Sequence, residues 1–224
     1  MAIEIDKIYN MDCLEGMKAI PDGSVDLVLT DIPYGEVNRD SNGLRNLDKA
    51  AADIETFDIR ELTKILCAKT KGSVYMFCGI NQVSDIRKTM TEQGLSTRVV
   101  VWEKTNPSPM NGEYMWLSGI ELCVYGKKQG GVFNLHCKNS VLRYPCGGGG
   151  KIHPTQKPTD LFRQLILASS NEGDTVLDPF IGSGTTAVAA IKENRHYIGF
   201  ELNEEFYMNA CQRISAERRQ LSLF

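Results

Sequence analysis

Short apolar runs alternate with segments of helical spacing along most of the chain. The apolar runs, several of them rich in β-branched residues, cover residues 25–29, 72–79, 97–102, 119–125, 174–178 and 196–201, and residues 4–9 alternate in the manner of a strand. Apolar residues recur every three or four positions in residues 14–20, 58–69, 81–90 and 159–169. The first kind of pattern is typical of buried strands and the second of helices. The pattern predicts an α/β fold with a sheet of seven strands.

The strand at residues 25–29 runs into the sequence D-I-P-Y, which places an acid, a rigid turn and an aromatic ring side by side. Asp31 follows the carboxyl end of the strand, the edge at which open α/β sheets bind ligands. Pro33 fixes its own φ and pushes Ile32 towards an extended conformation, so the Asp31 carboxylate and the Ile32 carbonyl form two acceptors. Two acceptors suit an amino group with two N–H bonds, and Tyr34 offers a face for stacking. An ordinary Asp-X-Pro turn is the alternative on these residues alone.

A second turn combines a strand end, glycines and a helix start at residues 178–186. Glycines allow the backbone to approach a ligand at a helix N-terminus. A later strand ends in Glu201, which is placed to accept ribose hydroxyls. Because Gly182, Gly184 and Ala187 also fit the dinucleotide pattern G-x-G-x-x-A, a nicotinamide-dependent dehydrogenase is the sharpest rival.

Together these segments resemble the amino-group DNA methyltransferases that carry the signature D-P-P-Y, in the permuted order with the acidic turn first and the glycine turn late. The resemblance covers nearly the whole chain, through D-I-P-Y at 31–34, W-E-K-T-N-P-S-P at 102–109, E-L-C-V-Y-G-K at 121–127, H-P-T-Q-K-P at 153–158 and D-P-F-I-G-S-G-T-T at 178–186. One position departs from the signature. Ile32 replaces the first proline, which keeps the carbonyl but adds an N–H group and backbone freedom.

The resemblance implies a Rossmann-like S-adenosylmethionine-dependent methyltransferase fold, with a mostly parallel seven-stranded sheet and helices on both faces. It implies methyl transfer to the exocyclic amine of adenine in DNA, with the base flipped out of the duplex and stacked on Tyr34. The expected catalytic residues are Asp31, Ile32, Pro33 and Tyr34. The expected cofactor-binding residues are Asp12, Cys13, Asp31, Thr155, Lys157, Asp178, Phe180, Gly182, Ser183, Gly184, Thr185, Glu201 and Leu202.

Some of these assignments have alternatives. Asp12 is expected near the adenine of the cofactor, and Thr155 and Lys157 near its methionine end, but Asp12 fits a helix N-cap equally well. Family members with aspartate at the first position of the turn usually act on adenine, whereas serine often marks cytosine, so Asp31 favours adenine. A cytosine enzyme, an RNA or protein-glutamine methyltransferase and a non-catalytic nucleic-acid-binding protein stay open.

The net charge of −3 hides an uneven distribution. Residues 60–157 hold 14 Lys and Arg against 6 Asp and Glu, a balance of +8, whereas the remainder has a balance of −11. A basic middle is compatible with a DNA-facing surface, although a solvated set of lysines would give the same count. The expected DNA-binding residues are Lys104, Asn106, Lys138, Arg143 and Lys151.

The chain of 224 residues, with 42% hydrophobic content, predicts a single methyltransferase domain at 1–224. Residues 36–57 are charged and lack a period, which predicts a mobile loop that closes over substrate or merely connects elements. Residues 129–152 are glycine-rich and basic, and they predict a flexible connection at the place of a short target-recognition segment. A second copy of the chain and a cognate restriction enzyme are candidate partners.

Seven cysteines, an odd number without a C-x-x-C pair, predict reduced thiols. The spacing of His136, Cys137, Cys146 and His153 matches no standard zinc pattern, so no metal is expected. The sequence shows neither an apolar run near the ~20 residues of a membrane span nor a signal-peptide profile. A cytoplasmic protein without a membrane partner is therefore expected.

Overall fold

A computed structural model describes residues 3–34, 57–109, 112–147 and 156–221. Except for Phe57, the predicted loop at 36–57 lies outside the described residues. The same holds for the end of the segment at 129–152, including Lys151, and for Thr155.

Strands and helices alternate as the sequence predicts. The strands are β1 (Lys7–Asn10), β2 (Val25–Asp31), β3 (Thr70–Cys78), β4 (Ser96–Lys104), β5 (Ile120–Lys127), β6 (Val141–Tyr144), β7 (Thr175–Asp178) and β8 (His196–Glu201). The helices are α1 (Cys13–Met17), α2 (Ile59–Lys69), α3 (Val83–Glu92), α4 (Thr159–Ser169), α5 (Thr185–Lys192) and α6 (Glu204–Leu221), with a short 3₁₀ turn at Ile80–Gln82.

The described strands form one sheet in the order β1-β8-β7-β2-β3-β5-β4-β6. β5 runs antiparallel to both of its neighbours, and every other pair is parallel, which confirms a mostly parallel sheet. The sheet has eight strands rather than the expected seven. The additional strand, β6, lies in the segment predicted as a flexible connection, where Val141 pairs with Val101 of β4. Four residues beside a glycine-rich stretch give too short a pattern to predict a strand.

Helices cover both faces of the sheet, as expected. Along β2, Leu27 and Leu29 belong to one apolar layer and Val28 to the other, because successive side chains of a strand point to opposite faces. The first layer includes buried residues of α4, α5 and α6, and the second those of α1, α2 and α3. The sheet therefore lies between two cores. None of the described helices has the length and apolar character that a membrane crossing requires.

Strand direction gathers acidic residues at one edge of the sheet. β2, β7 and β8 are parallel neighbours, so Asp31, Asp178 and Glu201 end at the same edge. Because β5 is antiparallel, its first residues reach this edge instead of its last ones. Leu122 pairs with Cys78, the last residue of β3, which places Glu121 just beyond that strand. We call this side of the sheet the active edge.

Gly199 of β8 makes room for the turn that follows β7. A Cβ atom at Gly199 would lie 2.8 Å from Cδ1 and 3.0 Å from Cβ of Ile181, whose side chain is buried. The backbone N–H of Ile181 donates to the Phe200 carbonyl at 2.9 Å. The absence of a side chain on Gly199 therefore fixes how closely this turn packs on the sheet.

We expect Gly199→Ala to lower the free energy of unfolding by about 1–3 kcal/mol, because the added methyl overpacks the contact with Ile181. Urea denaturation measures the change. The control is the double variant Gly199→Ala/Ile181→Ala, in which the shortened side chain makes room for the methyl. It should lose less stability than the single variants Gly199→Ala and Ile181→Ala lose together. Unchanged stability of Gly199→Ala would contradict this account of the turn.

Candidate active site

Two lysines and two carboxylates meet at the active edge. Lys157 Nζ lies 2.5 Å from Asp31 Oδ2 and 2.9 Å from Glu121 Oε2. Lys104 Nζ lies 2.9 Å from Glu121 Oε1. We call these four residues the acid–lysine cluster. Its formal charges cancel, which matters because the Lys157 side chain is only 5% exposed and a buried charge requires a partner.

Tyr34 closes this cluster from the turn after β2. Its hydroxyl donates to Asp31 Oδ1 at 2.8 Å, so each oxygen of Asp31 accepts a hydrogen bond. Lys157 Nζ lies 3.2 Å from the Tyr34 hydroxyl oxygen and 5.3 Å from the centre of its ring. The hydroxyl and the ring of Tyr34 thus both face the charged groups that the sequence places elsewhere in the chain.

The turn itself is held by hydrogen bonds. The Ile32 N–H donates to the Phe77 carbonyl at 3.2 Å, and the Ile32 side chain is buried in the core. The Pro33 carbonyl accepts a hydrogen bond from Gln82 Nε2 at 3.1 Å, and Gln82 Oε1 accepts from the Gly79 N–H at 2.9 Å. Proline could not donate at position 32, so the departure from the family signature adds an anchor to β3 rather than freedom.

Burial and charge shift the titrations in the cluster. Burial raises the pKa of the Asp31 carboxyl, although the positive charge of Lys157 opposes the rise. Burial also acts to raise the pKa of Glu121, but Lys157 and Lys104 outweigh it and leave that pKa lowered. The pKa of Lys157 is raised, because the attraction of both carboxylates exceeds the lowering effect of burial. Asp31 is therefore the more basic carboxylate of the two.

The glycine turn after β7 is built around a buried acid. Thr186 Oγ1 donates to Asp178 Oδ2 at 2.5 Å, and the Phe180 N–H donates to Oδ1 at 3.1 Å. Burial raises the pKa of Asp178 to about 7. Gly182 and Gly184 have φ angles of 50° and 77°, in the left-handed region that favours glycine, and Gly184 caps α5.

Glu201 faces this turn from the end of β8. Its Oε2 accepts from the Gly182 N–H at 3.0 Å and its Oε1 from the Asn203 N–H at 2.9 Å. Burial raises the pKa of Glu201. Leu202, the next residue, is exposed beside it, and the Phe180 ring lies 5.2 Å from that of Phe57. The structure thus places Glu201 and Leu202 beside the glycine turn that carries Asp178, Phe180, Gly182 and Gly184.

Two hydroxyls of the turn have a different partner from the expected cofactor. Arg213 of α6 donates from Nη1 to the Ser183 carbonyl and to Thr185 Oγ1, both at 3.0 Å, and from Nη2 to Thr159 Oγ1 at 3.0 Å. The side chains of Ser183 and Thr185 are buried against this guanidinium. They fix the turn and the start of α4, and a contact of these two residues with the cofactor stays a prediction.

Asp12 and Cys13 also have local roles. Asp12 Oδ1 accepts from the N–H groups of Leu14 and Glu15 at 2.8 and 3.1 Å, which confirms the N-cap alternative. The Cys13 thiol is buried in the core, and burial raises its pKa to about 12. A neutral, buried thiol is a packing group, and the assignment of Cys13 to the cofactor stays a prediction. All seven cysteines are free thiols, as expected.

Two of the expected DNA contacts are engaged within the protein. Lys104 is part of the acid–lysine cluster and mostly buried, so it is not available to a phosphate. Asn106 Oδ1 accepts from the Cys146 N–H at 2.6 Å, and its Nδ2 donates to the Cys146 carbonyl at 3.4 Å. Asn106 therefore ties the segment after β4 to the segment after β6. Asn106 is exposed, so its contact with DNA stays a prediction, whereas Lys104 is held by Glu121.

The other two described positions face solvent. Lys138 is exposed, and Arg143 of β6 is exposed with its Nε 3.0 Å from Glu103 Oε2. Within the described residues, no three His, Cys, Asp or Glu side chains gather as a metal site.

Sequence reasoning missed Glu121, Gln82 and Arg213. The one local signal is the acid at the start of the apolar strand E-L-C-V-Y, and it identifies Glu121 only once β5 is known to be antiparallel. Gln82 and Arg213 lie on helical segments of unremarkable composition and gave no signal.

Comparison with known proteins places this geometry in a family. A family profile described as DNA methylase matches residues 116–212. The Type II methyltransferase M.HpaI of Haemophilus parainfluenzae is 30% identical over 92% of this chain and 73% of its own length. The Type II methyltransferase M2.DpnII of Streptococcus pneumoniae is 26% identical over 94% of this chain and 90% of its own length. The crystal structure of the M1.HpyAVI–SAM complex has a TM-score of 0.76 and 25% identity, covering 93% of this chain and 98% of that chain. The chain belongs to the DNA methylase family of amino-group methyltransferases.

Proposed function

We propose that this DNA methylase transfers the methyl group of S-adenosylmethionine to the exocyclic amine of adenine in DNA. One observation carries the proposal. A buried carboxylate, Asp31, ends β2 on the same edge of the sheet as the glycine turn and Glu201. An acceptor for an amine and a cradle for a nucleoside cofactor thus lie side by side. The crystallised relative M1.HpyAVI, which is named as a SAM complex, supports the choice of cofactor.

The residues around the glycine turn fit this cofactor. Each oxygen of Glu201 accepts one backbone N–H, and a carboxylate oxygen has a further lone pair that can accept a ribose hydroxyl. Gly182 lets the backbone come close to a ligand, and the exposed Leu202 side chain can cover an adenine ring. When bound, S-adenosylmethionine supplies an electrophilic methyl group on a positively charged sulfur. Asp178 and Phe180 complete the proposed cofactor site.

Asp31 activates the amine in this proposal. The lone pair of an exocyclic amine is delocalised into the base, which makes the amine a poor nucleophile. Hydrogen bonds from its two N–H groups to the Asp31 carboxylate and the Ile32 carbonyl localise that pair on nitrogen. The N–C bond then forms as the C–S bond breaks, and the sulfur keeps the electron pair of that bond. The nitrogen gains a positive charge and passes a proton to Asp31, whose raised pKa makes it a better acceptor.

Before substrate binds, Lys157 occupies the hydrogen-bonding position on Asp31 that the amine takes during the reaction. Its ammonium donates to Asp31 Oδ2, where an N–H of the base would donate. When the amine takes over this oxygen, Glu121 still pairs with the buried ammonium at 2.9 Å, so no charge is left alone. Tyr34 stays bonded to the other oxygen of Asp31, and the base stacks on the face of its ring away from Lys157.

Further contacts, the location and the partners of the enzyme are proposed from its DNA substrate and its relatives. We propose that Lys138 and Arg143, together with Lys151 in the target-recognition segment at 129–152, contact DNA phosphates, and that Thr155 contacts the cofactor. The named relatives are Type II methyltransferases, which supports action in the cytoplasm beside a cognate restriction enzyme. A homodimer is a further proposal, to be checked by sedimentation.

We expect Asp31→Asn to lower the turnover number about 10²–10⁴-fold, because the amide cannot take the proton of the amine. Affinity for S-adenosylhomocysteine should stay within about tenfold of the parent, or ~1.4 kcal/mol, since Asp31 acts on the base. Calorimetry and methyl transfer to DNA measure the two effects. Asp26→Asn is the matched control, because Asp26 begins the same strand at the opposite edge. A large loss of cofactor affinity in Asp31→Asn would assign this carboxylate to the cofactor instead.

We expect the methylated nucleoside to be N6-methyldeoxyadenosine, because enzymes of this family that act on adenine usually have aspartate at the position of Asp31. Digestion of mixed-sequence DNA after incubation with the methyl donor, followed by mass spectrometry, identifies the product. N4-methylcytosine as the main product would overturn the base assignment. Parallel incubations with RNA and protein distinguish a methyltransferase for those substrates.

Asp178→Asn should be more stable than the parent above pH 7. An unfolded aspartate titrates near pH 3.9, whereas the folded Asp178 keeps its proton up to about 7, so the folded chain binds more protons between these values. The free energy of unfolding therefore falls as the pH rises through this window. Asparagine can accept from the Phe180 N–H and donate from its amide nitrogen to Thr186 Oγ1 without a charge, and the gain at pH 8 should approach about 4 kcal/mol.

Urea denaturation at pH 5 and pH 8 measures this difference. Asp160→Asn is the control, since the exposed pair of Asp160 with Arg163 contributes little to stability. Equal pH dependence in Asp178→Asn and the parent would show that Asp178 is ionised in the folded chain.

A further inference from the structure

The segment before β5 presents three large apolar side chains to solvent. Tyr114 is 84% exposed, Met115 66% and Trp116 95%. We call these three residues the aromatic tip. We propose that the aromatic tip stacks on the bases of the DNA substrate beside the base that enters the active site. This inference rests on the proposed function.

The tip projects because its loop is closed beneath it. The Gly112 N–H donates to the Pro109 carbonyl at 3.0 Å, and the Gly119 N–H donates to the Leu117 carbonyl at 2.8 Å. Leu117 packs against the loop backbone, since a Cβ atom on Gly112 would lie 2.7 Å from Leu117 Cδ2, and it is half-exposed at 44%. The three tip residues are more exposed than Leu117. Contiguous exposed apolar side chains mark a binding surface.

The tip is continuous with the active edge. The Gly119 carbonyl accepts from the Lys104 N–H at 2.8 Å, and Ile120 pairs with Glu103. Glu121 of the acid–lysine cluster follows directly. The five Cα-to-Cα steps from Trp116 to Glu121 span at most about 17 Å when the chain is fully extended. Bases in a DNA strand are stacked about 3.4 Å apart, so the tip can reach within about five base steps of Asp31.

The composition of the segment favours bases over phosphates. Residues 105–120 contain one acid, Glu113, and no lysine or arginine. The lysine at the foot of the loop, Lys104, is neutralised by Glu121. Such a segment carries no positive charge that would attract phosphate, whereas tyrosine and tryptophan rings stack on any base. An enzyme that extracts a base from the duplex also needs groups that occupy the unstacked neighbours.

Tryptophan fluorescence reports on the tip without any substitution. The chain has two tryptophans, and Trp102 is buried, 3% exposed, with its Nε1 donating to the Tyr144 carbonyl at 2.9 Å. Acrylamide should therefore quench Trp116 and spare Trp102. We expect mixed-sequence duplex DNA, added with S-adenosylhomocysteine, to protect Trp116 from acrylamide. Unchanged quenching at saturating DNA would overturn the proposal.

Substitution separates stacking from charge. Trp116→Ala should weaken DNA binding about tenfold, within the range that base–aromatic stacking spans, and Trp116→Phe should restore most of it. The slope of log affinity against log salt should stay unchanged in Trp116→Ala, whereas Lys138→Ala/Arg143→Ala should flatten it. Phe133→Ala is the matched control, because Phe133 is a half-exposed ring that follows β5 at the opposite edge.

Three outcomes would count against the tip. Parent-like DNA affinity in Trp116→Ala would overturn it, as would a flattened salt slope in that variant. A parent dimer that Trp116→Ala converts to a monomer with full DNA affinity would make the tip a surface for self-association instead. If the parent methylates DNA, any of these three outcomes contradicts only the role of the aromatic tip. Absence of DNA methylation by the parent contradicts the proposed function itself.

Discussion

The Lys157 ammonium lies almost out of contact with water between the carboxylates of Asp31 and Glu121, and the rest of the active edge depends on this arrangement. The cluster joins the ends of β2 and β4, the start of β5 and the segment before α4. Desolvation offsets most of the attraction within buried ion pairs, so such a cluster is a weak source of stability. Its charge balance is better explained by chemistry. The cluster keeps a buried carboxylate ready to accept hydrogen bonds while no charge goes unpaired.

The second half of the site depends on close packing rather than charge. Gly199 admits Ile181, and Arg213 binds the hydroxyls of the glycine turn, so the turn is fixed from the sheet and from α6. In the proposed function, the backbone of Gly182 and the carboxylate of Glu201 then face the cofactor. The same glycine pattern occurs in dehydrogenases, and the family match shows that this rival is wrong. The late position of the turn, after most of the sheet, was the informative feature.

Local patterns predicted much of the fold, and they predicted some residues of the acid–lysine cluster and of the glycine turn. Short apolar runs identified seven strands, because strand and helix patterns are properties of neighbouring residues. The acid at the end of β2 and the glycine turn after β7 were found for the same reason. Assignments that require a side-chain direction stay predictions. Ser183, Thr185 and Cys13 were expected at the cofactor, and their side chains are buried against the protein.

The sequence by itself determined which strand ends carry acids and where the backbone must be glycine, since both follow from a few consecutive residues. Only the tertiary structure decided which of these groups meet. Glu121 reaches Lys157 because β5 runs antiparallel between β3 and β4, and no local pattern encodes the direction of a strand. The sequence suggested Lys104 as a phosphate ligand, whereas the structure pairs it with Glu121. β6 was identified only by its pairing with β4. Pairing between residues distant in sequence is a property of the folded sheet, and this pairing turned separate motifs into one site.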